Sequence, residues 1–202
     1  MAAKKHKLKK AEPLPHIEGD FDIVGCDLSM YCPAFALFHY SAKAQKISLK
    51  AKDICSNRSA SNKKKMHGNI LSDIACAFGD FIKGRDVKVV VRERAFSRFS
   101  QETITLNKVC GVTEMTLWVV TQRPFEEVTA TQVKKYVTGN GKASKEDVAE
   151  AIGNYCEHTV FQTDDESDAC GVAICWLILN GYMQTIPLEK YKDMVNRDEQ
   201  SA

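Results

Sequence analysis

The sequence predicts an α/β fold with a five-stranded mixed sheet and helices on both faces. Three strand-like segments come first, at positions 21–28, 34–40 and 46–50, and later strand-like segments alternate with long helical ones. A strand that follows a helical crossover usually lies parallel to its partner, whereas closely spaced strands pair antiparallel. The 202 residues, 44% of them hydrophobic, are enough for one core and do not require two domains.

The first half of the chain supplies the antiparallel part of this sheet and the first crossover. Residues 1–18 carry lysines and prolines and are predicted to be a basic flexible tail. Apolar runs and alternation in the three segments that follow predict a strand meander. Residues 63–83 are apolar at helical spacing and end at Gly84, so a long helix leads to a strand at 87–92, parallel to the first.

The second half supplies the remaining helices of the domain, which we place at residues 19–186. The predicted elements are a helix at 101–120, a strand at 125–129, a short helix capped by Thr129, a helix from the cap Ser144 to about His158, and a core helix from about Asp165. The apolar run in that last helix extends all round it and predicts burial against the sheet. Residues 187–202 are expected to form a short C-terminal helix and tail. This order of elements is typical of the ribonuclease H-like fold.

Four carboxylates stand where packing alone does not explain them. Asp27 and Glu93 end apolar strand segments, and Asp165 and Asp168 open the last helix, three positions apart on one face. The carboxyl ends of parallel strands gather ligands, so the four side chains are expected to meet there. Clustered carboxylates need a counter-charge, and Mg²⁺ and Mn²⁺ prefer oxygen ligands. The sequence therefore predicts a metal-dependent phosphoryl-transfer site.

Several segments together resemble RuvC-type Holliday junction resolvases, and in particular the divergent versions carried by bacteriophages. The segments are 23–29, 93–96, 132–141 with Lys145, and 165–169. The resemblance implies that Asp27, Glu93, Asp165 and Asp168 are the metal-binding catalytic carboxylates, and it places Lys134 and Lys145 as basic residues beside the active site. Asp164 remains an alternative to Asp165, and Glu166 is expected to interact with the helix N-terminus.

The resemblance also implies a substrate, a cofactor and an assembly. We expect two Mg²⁺ ions per site, with Mn²⁺ as a substitute, and nicking of four-way junctions and other branched DNA to give 5′-phosphate and 3′-hydroxyl ends. Two symmetric cuts require two sites, so a twofold homodimer is expected. The helix at 101–120 or the one at 63–83 would supply its interface, and the sequence does not choose between them.

The expected DNA contacts are one aromatic residue and a group of basic residues. By the resemblance, Phe96 stacks on an unpaired base at the junction centre. The phosphate contacts are expected from Arg94, Arg98, Lys134, Lys135, Lys142 and Lys145. Strand alternation predicts that Arg92 and Arg94 point away from Glu93.

The acidic residues allow two other interpretations. A ribonuclease H acting on RNA–DNA hybrids should carry a glutamate on the first long helix, which offers only Asp73 and Asp80. In a non-catalytic branched-DNA-binding module the acidic cluster would be structural.

The eight cysteines form no CxxC pair and are expected to be reduced core thiols. The sequence shows no signal peptide or membrane-spanning run, so a cytoplasmic location is expected.

Overall fold

A computed structural model describes residues 15–57, 67–94, 101–156 and 163–191, with side chains from residue 103 onward in the third range. These parts of the chain form β1 (Phe21–Asp27), β2 (Ala34–Ser41), β3 (Lys46–Ile54), α1 (His67–Ile82), β4 (Val87–Glu93), α2 (Gln101–Thr121), β5 (Glu126–Val128), α3 (Ala130–Thr138), α4 (Lys145–Ile152) and α5 (Asp164–Leu179). A short 3₁₀ helix follows at Glu189–Tyr191.

The five strands form one mixed sheet in the order β3-β2-β1-β4-β5. The meander β1, β2 and β3 pairs antiparallel, and β4 runs parallel to both β1 and β5. Cys26 lies opposite Arg92 in the parallel register. Asp27 and Glu93 are the next residues on these two strands. They therefore lie side by side at the carboxyl ends of β1 and β4. The predicted fold class is confirmed.

The sheet separates two hydrophobic cores, because side chains alternate between its faces. Ile23 belongs to the core under α3, α4 and α5, whereas its neighbour Val24 belongs to the core under α1 and α2. Helix α5 is buried on all sides from Ala169 to Leu177, as its apolar run predicted. Even so, within the described ranges no helix is both long and apolar enough to cross a membrane. Six of the eight cysteines are buried, and no disulfide joins any of the eight.

A glycine in β1, Gly25, lets helix α5 pack close against the strand. A Cβ atom placed on Gly25 would stand 2.0 Å from the carbonyl oxygen of Ala169. Only a residue without a side chain permits this approach. The contact brings the N-terminal half of α5 directly against the carboxyl half of β1, the strand that ends at Asp27.

Helix α4 is shorter than the sequence predicted. It ends at Ile152 instead of near His158, and residues 157–162 lie outside the described part of the chain. Beyond the helix the chain turns and Cys156 forms a parallel bridge with Ile47 on the edge strand β3. Tyr155 is 1% exposed and its hydroxyl donates to the carbonyl of Val137 at 3.0 Å. Burial of this side chain favours the turn over further helix.

Segments at both ends of the domain pack against its body. Within the predicted N-terminal tail, the backbone N–H of Ile17 donates to the hydroxyl of Tyr182 at 2.7 Å. Beyond the predicted domain end, Leu188 is 6% exposed and its N–H donates to the carbonyl of Thr138. The described residues that flank the predicted boundaries are therefore part of the packed structure.

Candidate active site

Three of the predicted carboxylates line one cavity of about 580 Å³. Asp27 and Glu93 reach it from the carboxyl ends of β1 and β4, and Asp168 reaches it from the N-terminal part of α5. The remaining lining residues are Leu28, Arg94, Thr103, Leu106, Ala130, Val133, Lys134, Lys145, Val148 and Val172. Strand order and helix capping thus bring together residues that are far apart in sequence.

The fourth predicted carboxylate, Asp165, lies beside the cavity lining. Helix α5 begins at Thr163, whose side chain accepts a hydrogen bond from the N–H of Glu166. Asp165 is half-buried, and its charge is one of those that raise the pKa of Asp27. Asp164, the alternative, is exposed and acts on Lys145 instead. The negative charge of Asp165 thus contributes to the electrostatic potential at Asp27.

Burial, together with nearby negative charge, raises the pKa of two strand-end carboxylates. Burial, followed by repulsion from Asp168, Asp165 and Glu93, raises the pKa of Asp27 to about 7, against a small opposing effect of Lys145. The pKa of Glu93 is also raised, chiefly by burial and then by Asp168. The site holds more carboxylate charge than its lysines offset.

Two capped helices present the lysines of the cavity. Thr129 and Gln132 form a capping box at the start of α3, and Ser144 caps α4 in the same way. Lys145, the first residue of α4, donates from Nζ to Oδ2 of Asp168 at 2.9 Å. Lys134 on α3 lines the cavity and lowers the pKa of Glu93.

The other basic residues predicted to contact DNA are spread around the site. Lys135 and Lys142 are exposed and lie outside the cavity lining. Phe96 and Arg98 fall within 95–100, outside the described residues, and their roles stay predictions.

Arg94 departs from the sequence prediction, because it lines the cavity instead of pointing away from it. Strand β4 ends at Glu93, so strand alternation no longer fixes the direction of the next side chain. Its Nε donates to Oε2 of Glu127 at 3.1 Å. Arg92, still within the strand, is buried and donates to Oε1 of Glu127 and Oε2 of Glu114. Glu127 thus joins the buried arginine to the cavity arginine.

Glu166 was predicted to interact with the N-terminus of α5 and instead forms a buried ion pair. Its residue is 5% exposed, and its Oε2 accepts from Nζ of Lys52 on β3 at 2.6 Å. The two residues are 114 positions apart, so local sequence carries no signal for the pair. This contact ties the first turn of α5 to the edge strand.

The donor set fits a hard divalent cation in its chemistry. Carboxylate oxygens are the preferred ligands of such a cation, and Asp27, Glu93 and Asp168 present them to one cavity. In the part of the chain that the structure describes, no three His, Cys, Asp or Glu side chains are gathered to hold an ion as they stand. Asp168 is instead occupied by the Lys145 ammonium.

Comparisons with known proteins agree with this architecture. Curated relatives include crossover junction endodeoxyribonuclease RuvC from Ehrlichia ruminantium (strain Gardel), 36% identical over 118 residues, which covers 57% of this chain and 71% of that protein. RuvC from Geotalea uraniireducens (strain Rf4) is 36% identical over 87 residues, or 43% of this chain and 50% of that protein.

A solved structure shows the same fold at low identity. T. thermophilus RuvC in complex with a Holliday junction substrate matches with a TM-score of 0.70 and 15% identity, over 82% of this chain and 99% of that one. The family model of crossover junction endodeoxyribonuclease RuvC matches residues 23–176, which include the whole cavity lining. The chain therefore belongs to the RuvC family of crossover junction endodeoxyribonucleases.

Proposed function

We propose that this chain is a metal-dependent, structure-specific endodeoxyribonuclease that nicks four-way DNA junctions, and other branched DNA, to leave 5′-phosphate and 3′-hydroxyl ends. The observation that carries the proposal is the cavity at the sheet edge, where three carboxylates from β1, β4 and α5 face two lysines from α3 and α4. Family membership supplies the reaction class and the junction substrate.

The carboxylates Asp27, Glu93, Asp165 and Asp168 are the proposed ligands of two Mg²⁺ ions, with Mn²⁺ as a substitute. Bound divalent cations supply an activated water and neutralise charge on the attacked phosphodiester. For this role the chain must present ionised carboxylates. Asp27, with its pKa near 7, has to lose a proton before it ligates at neutral pH.

Lys145 and Lys134 are the proposed partners of the phosphate. The Lys145 side chain is 73% exposed and can leave Asp168 for a phosphate oxygen without backbone movement. Its ammonium would then offset the charge that develops on the phosphate during the reaction. Lys134 lines the same cavity from α3 and is the second proposed contact of this phosphate.

The remaining DNA contacts are proposed around this centre. Arg94, whose side chain is 62% exposed, is held at the cavity by Glu127, and Lys135 and Lys142 extend the basic surface on α3 and the following turn. Each phosphate neutralised on duplex DNA should lower log affinity by about 0.9 per unit of log salt concentration. Phe96 and Arg98 remain proposed as the stacking aromatic and a further phosphate contact.

A junction assay tests the proposed function. Wild-type protein should nick a synthetic four-way junction in Mg²⁺ and act more weakly on a Y-fork and on plain duplex. The Asp27→Asn variant should bind the junction without nicking it, because an amide is a poor metal ligand. Efficient Mg²⁺-dependent nicking by that variant would refute the assignment of Asp27. Preference for an RNA–DNA hybrid would favour the ribonuclease H alternative instead.

We also propose that the functional unit is a twofold homodimer formed through α2. Of the two candidate helices, α1 presents no large exposed hydrophobic residue among its described side chains, whereas α2 presents Ile104, Met115, Trp118, Val119 and Val120, between 39% and 69% exposed. Exposed large apolar residues gathered on one helix are typical of an interface. Around Gly111, in the same helix, a Cβ would meet no atom within 4 Å, which leaves room for a crossing helix.

Sedimentation analysis tests this interface. Met115→Glu combined with Val119→Glu places two charges in the apolar stripe and should convert the dimer to a monomer at micromolar concentration. Ile186→Glu is the matched control, because Ile186 is 44% exposed but lies far along the chain from α2. A double variant that sediments like the wild-type protein would exclude α2 as the interface.

A further inference from the structure

One exposed aromatic residue stands on the turn that directly follows Asp27. Tyr31 is 49% exposed, although its neighbours Met30 and Cys32 are only 5% and 6% exposed. Among the described residues, the only other aromatic with a comparable exposure is Trp118 on the apolar face of α2. A single exposed apolar residue is ordinary on a protein surface, so its position and rigidity must decide whether it has a role.

The backbone of this turn is fixed at several points. The Ser29 hydroxyl oxygen accepts from the N–H of Cys32 at 3.0 Å. The carbonyl of Tyr31 itself accepts from the N–H of Asn57 at 2.7 Å, and Asn57 is 4% exposed. A further bond from the N–H of Cys55 to the carbonyl of Pro33, 3.0 Å long, holds the end of the turn. The Tyr31 ring is therefore presented by an ordered backbone that is anchored to the segment after β3.

The turn also forms part of the active-site edge. Leu28, three residues before Tyr31, lines the cavity that contains Asp27. The other walls of that cavity come from β4, α2, α3, α4 and α5, and β4 is the neighbour of β1 on the side away from β2 and β3. The Tyr31 carbonyl accepts from the segment after β3, beyond β2 on the other side of β1. The turn therefore borders the Asp27 end of the cavity on its β3 side, and a DNA strand bound at Asp27 that leaves on this side would meet Tyr31.

We propose that Tyr31 stacks on a nucleotide next to the scissile phosphate and thereby helps to fix the position of the cut. This inference rests on the proposed junction-cleaving function. An aromatic ring accepts any base, because every base has a π-face, so the contact aligns the strand without reading its sequence. Because the backbone of the turn is already ordered, only the side chain gives up conformational freedom when the ring binds.

Fluorescence of 2-aminopurine tests the contact directly. The base analogue is placed in turn at successive positions around the crossover of a four-way junction, and the junction is bound by the uncleaving Asp27→Asn protein. We expect quenching at one position next to the cut. Adding Tyr31→Ala should remove that quenching and weaken binding by about tenfold. Adding Tyr31→Phe should keep both, because the ring is retained.

The nicking activity of otherwise wild-type protein provides the second readout. Tyr31→Ala should spread the cuts over neighbouring phosphates, whereas Tyr31→Phe and the surface control Ile186→Ala should cut where the wild-type protein does. Unchanged quenching and unchanged cut positions in Tyr31→Ala, with junction nicking intact, would overturn the role of Tyr31 alone. Wild-type protein that fails to nick any junction in Mg²⁺ would instead overturn the proposed function, and this inference with it.

Discussion

Replacing Asp27 with asparagine should stabilise the metal-free protein, and the gain should depend on pH. Burial and neighbouring carboxylates raise the pKa of Asp27 from its ordinary 3.8 to about 7 in the folded chain. Between these two values the folded protein keeps a proton that the unfolded chain has lost. The contribution of Asp27 to the free energy of unfolding is therefore fully present below its pKa in the unfolded chain. It is lost as the pH rises through its pKa in the folded chain. Asparagine mimics the protonated side chain at every pH.

The size of the effect follows from the shift. At about 1.4 kcal/mol per pKa unit, the rise from 3.8 to about 7 corresponds to about 4 kcal/mol. The advantage of the asparagine variant should grow from about 1 kcal/mol near pH 4.5 to about 4 kcal/mol near pH 8.5, where Asp27 is ionised in both states.

Urea unfolding in the presence of EDTA measures this difference across the pH range. Asp86→Asn is the matched control, because it makes the same substitution at a side chain that is 82% exposed and lies outside the cavity. Mg²⁺ should then stabilise the wild-type protein more than the asparagine variant. Equal stability of the variant and the wild-type protein near pH 8.5 without metal would refute the idea that the carboxylates strain the folded chain.

Three further changes test how the site is built. Lys145→Ala should lower kcat for junction nicking by about a hundredfold, with Lys145→Arg retaining more activity, because the charge beside Asp168 is lost only in the first; equal rates for alanine and wild type would remove Lys145 from the mechanism. Lys52→Met should cost about 3 kcal/mol in urea unfolding, since it removes the ammonium that donates to the buried Glu166 carboxylate, and Lys52→Arg should restore most of the loss; a methionine variant as stable as wild type would show that the pair is dispensable. Gly25→Ala should cost more than about 4 kcal/mol or prevent folding, and circular dichroism showing a normally stable alanine variant would contradict the close contact with α5.

The sequence predicted the strands and the acidic positions that terminate them because both signals are local. The apolar segments of β1 and β4 each end at a carboxylate, and the caps Thr129 and Ser144 start α3 and α4 as predicted. Capping depends on side chains within three residues of the helix start, so a single sequence carries it. The positions of the candidate site follow from these signals combined with a sheet order that the parallel crossover favours.

Features set by tertiary contacts escaped prediction. The Lys52 and Glu166 pair joins residues from opposite ends of the domain, and the early end of α4 depends on where Tyr155 finds burial. Arg94 reaches the cavity because the strand stops one residue before it. The choice of α2 for the proposed interface required knowledge of which apolar side chains the core leaves uncovered. None of these depends on neighbours in sequence.

The contact between Gly25 and Ala169 has a consequence for how this fold tolerates change. The contact joins two backbone atoms, the Cα of Gly25 and the carbonyl oxygen of Ala169. No change of side-chain conformation can therefore alter the distance between β1 and α5 at this point. Ala169 directly follows Asp168, and Gly25 lies two residues before Asp27. The position of Asp168 relative to Asp27 therefore depends on this backbone contact.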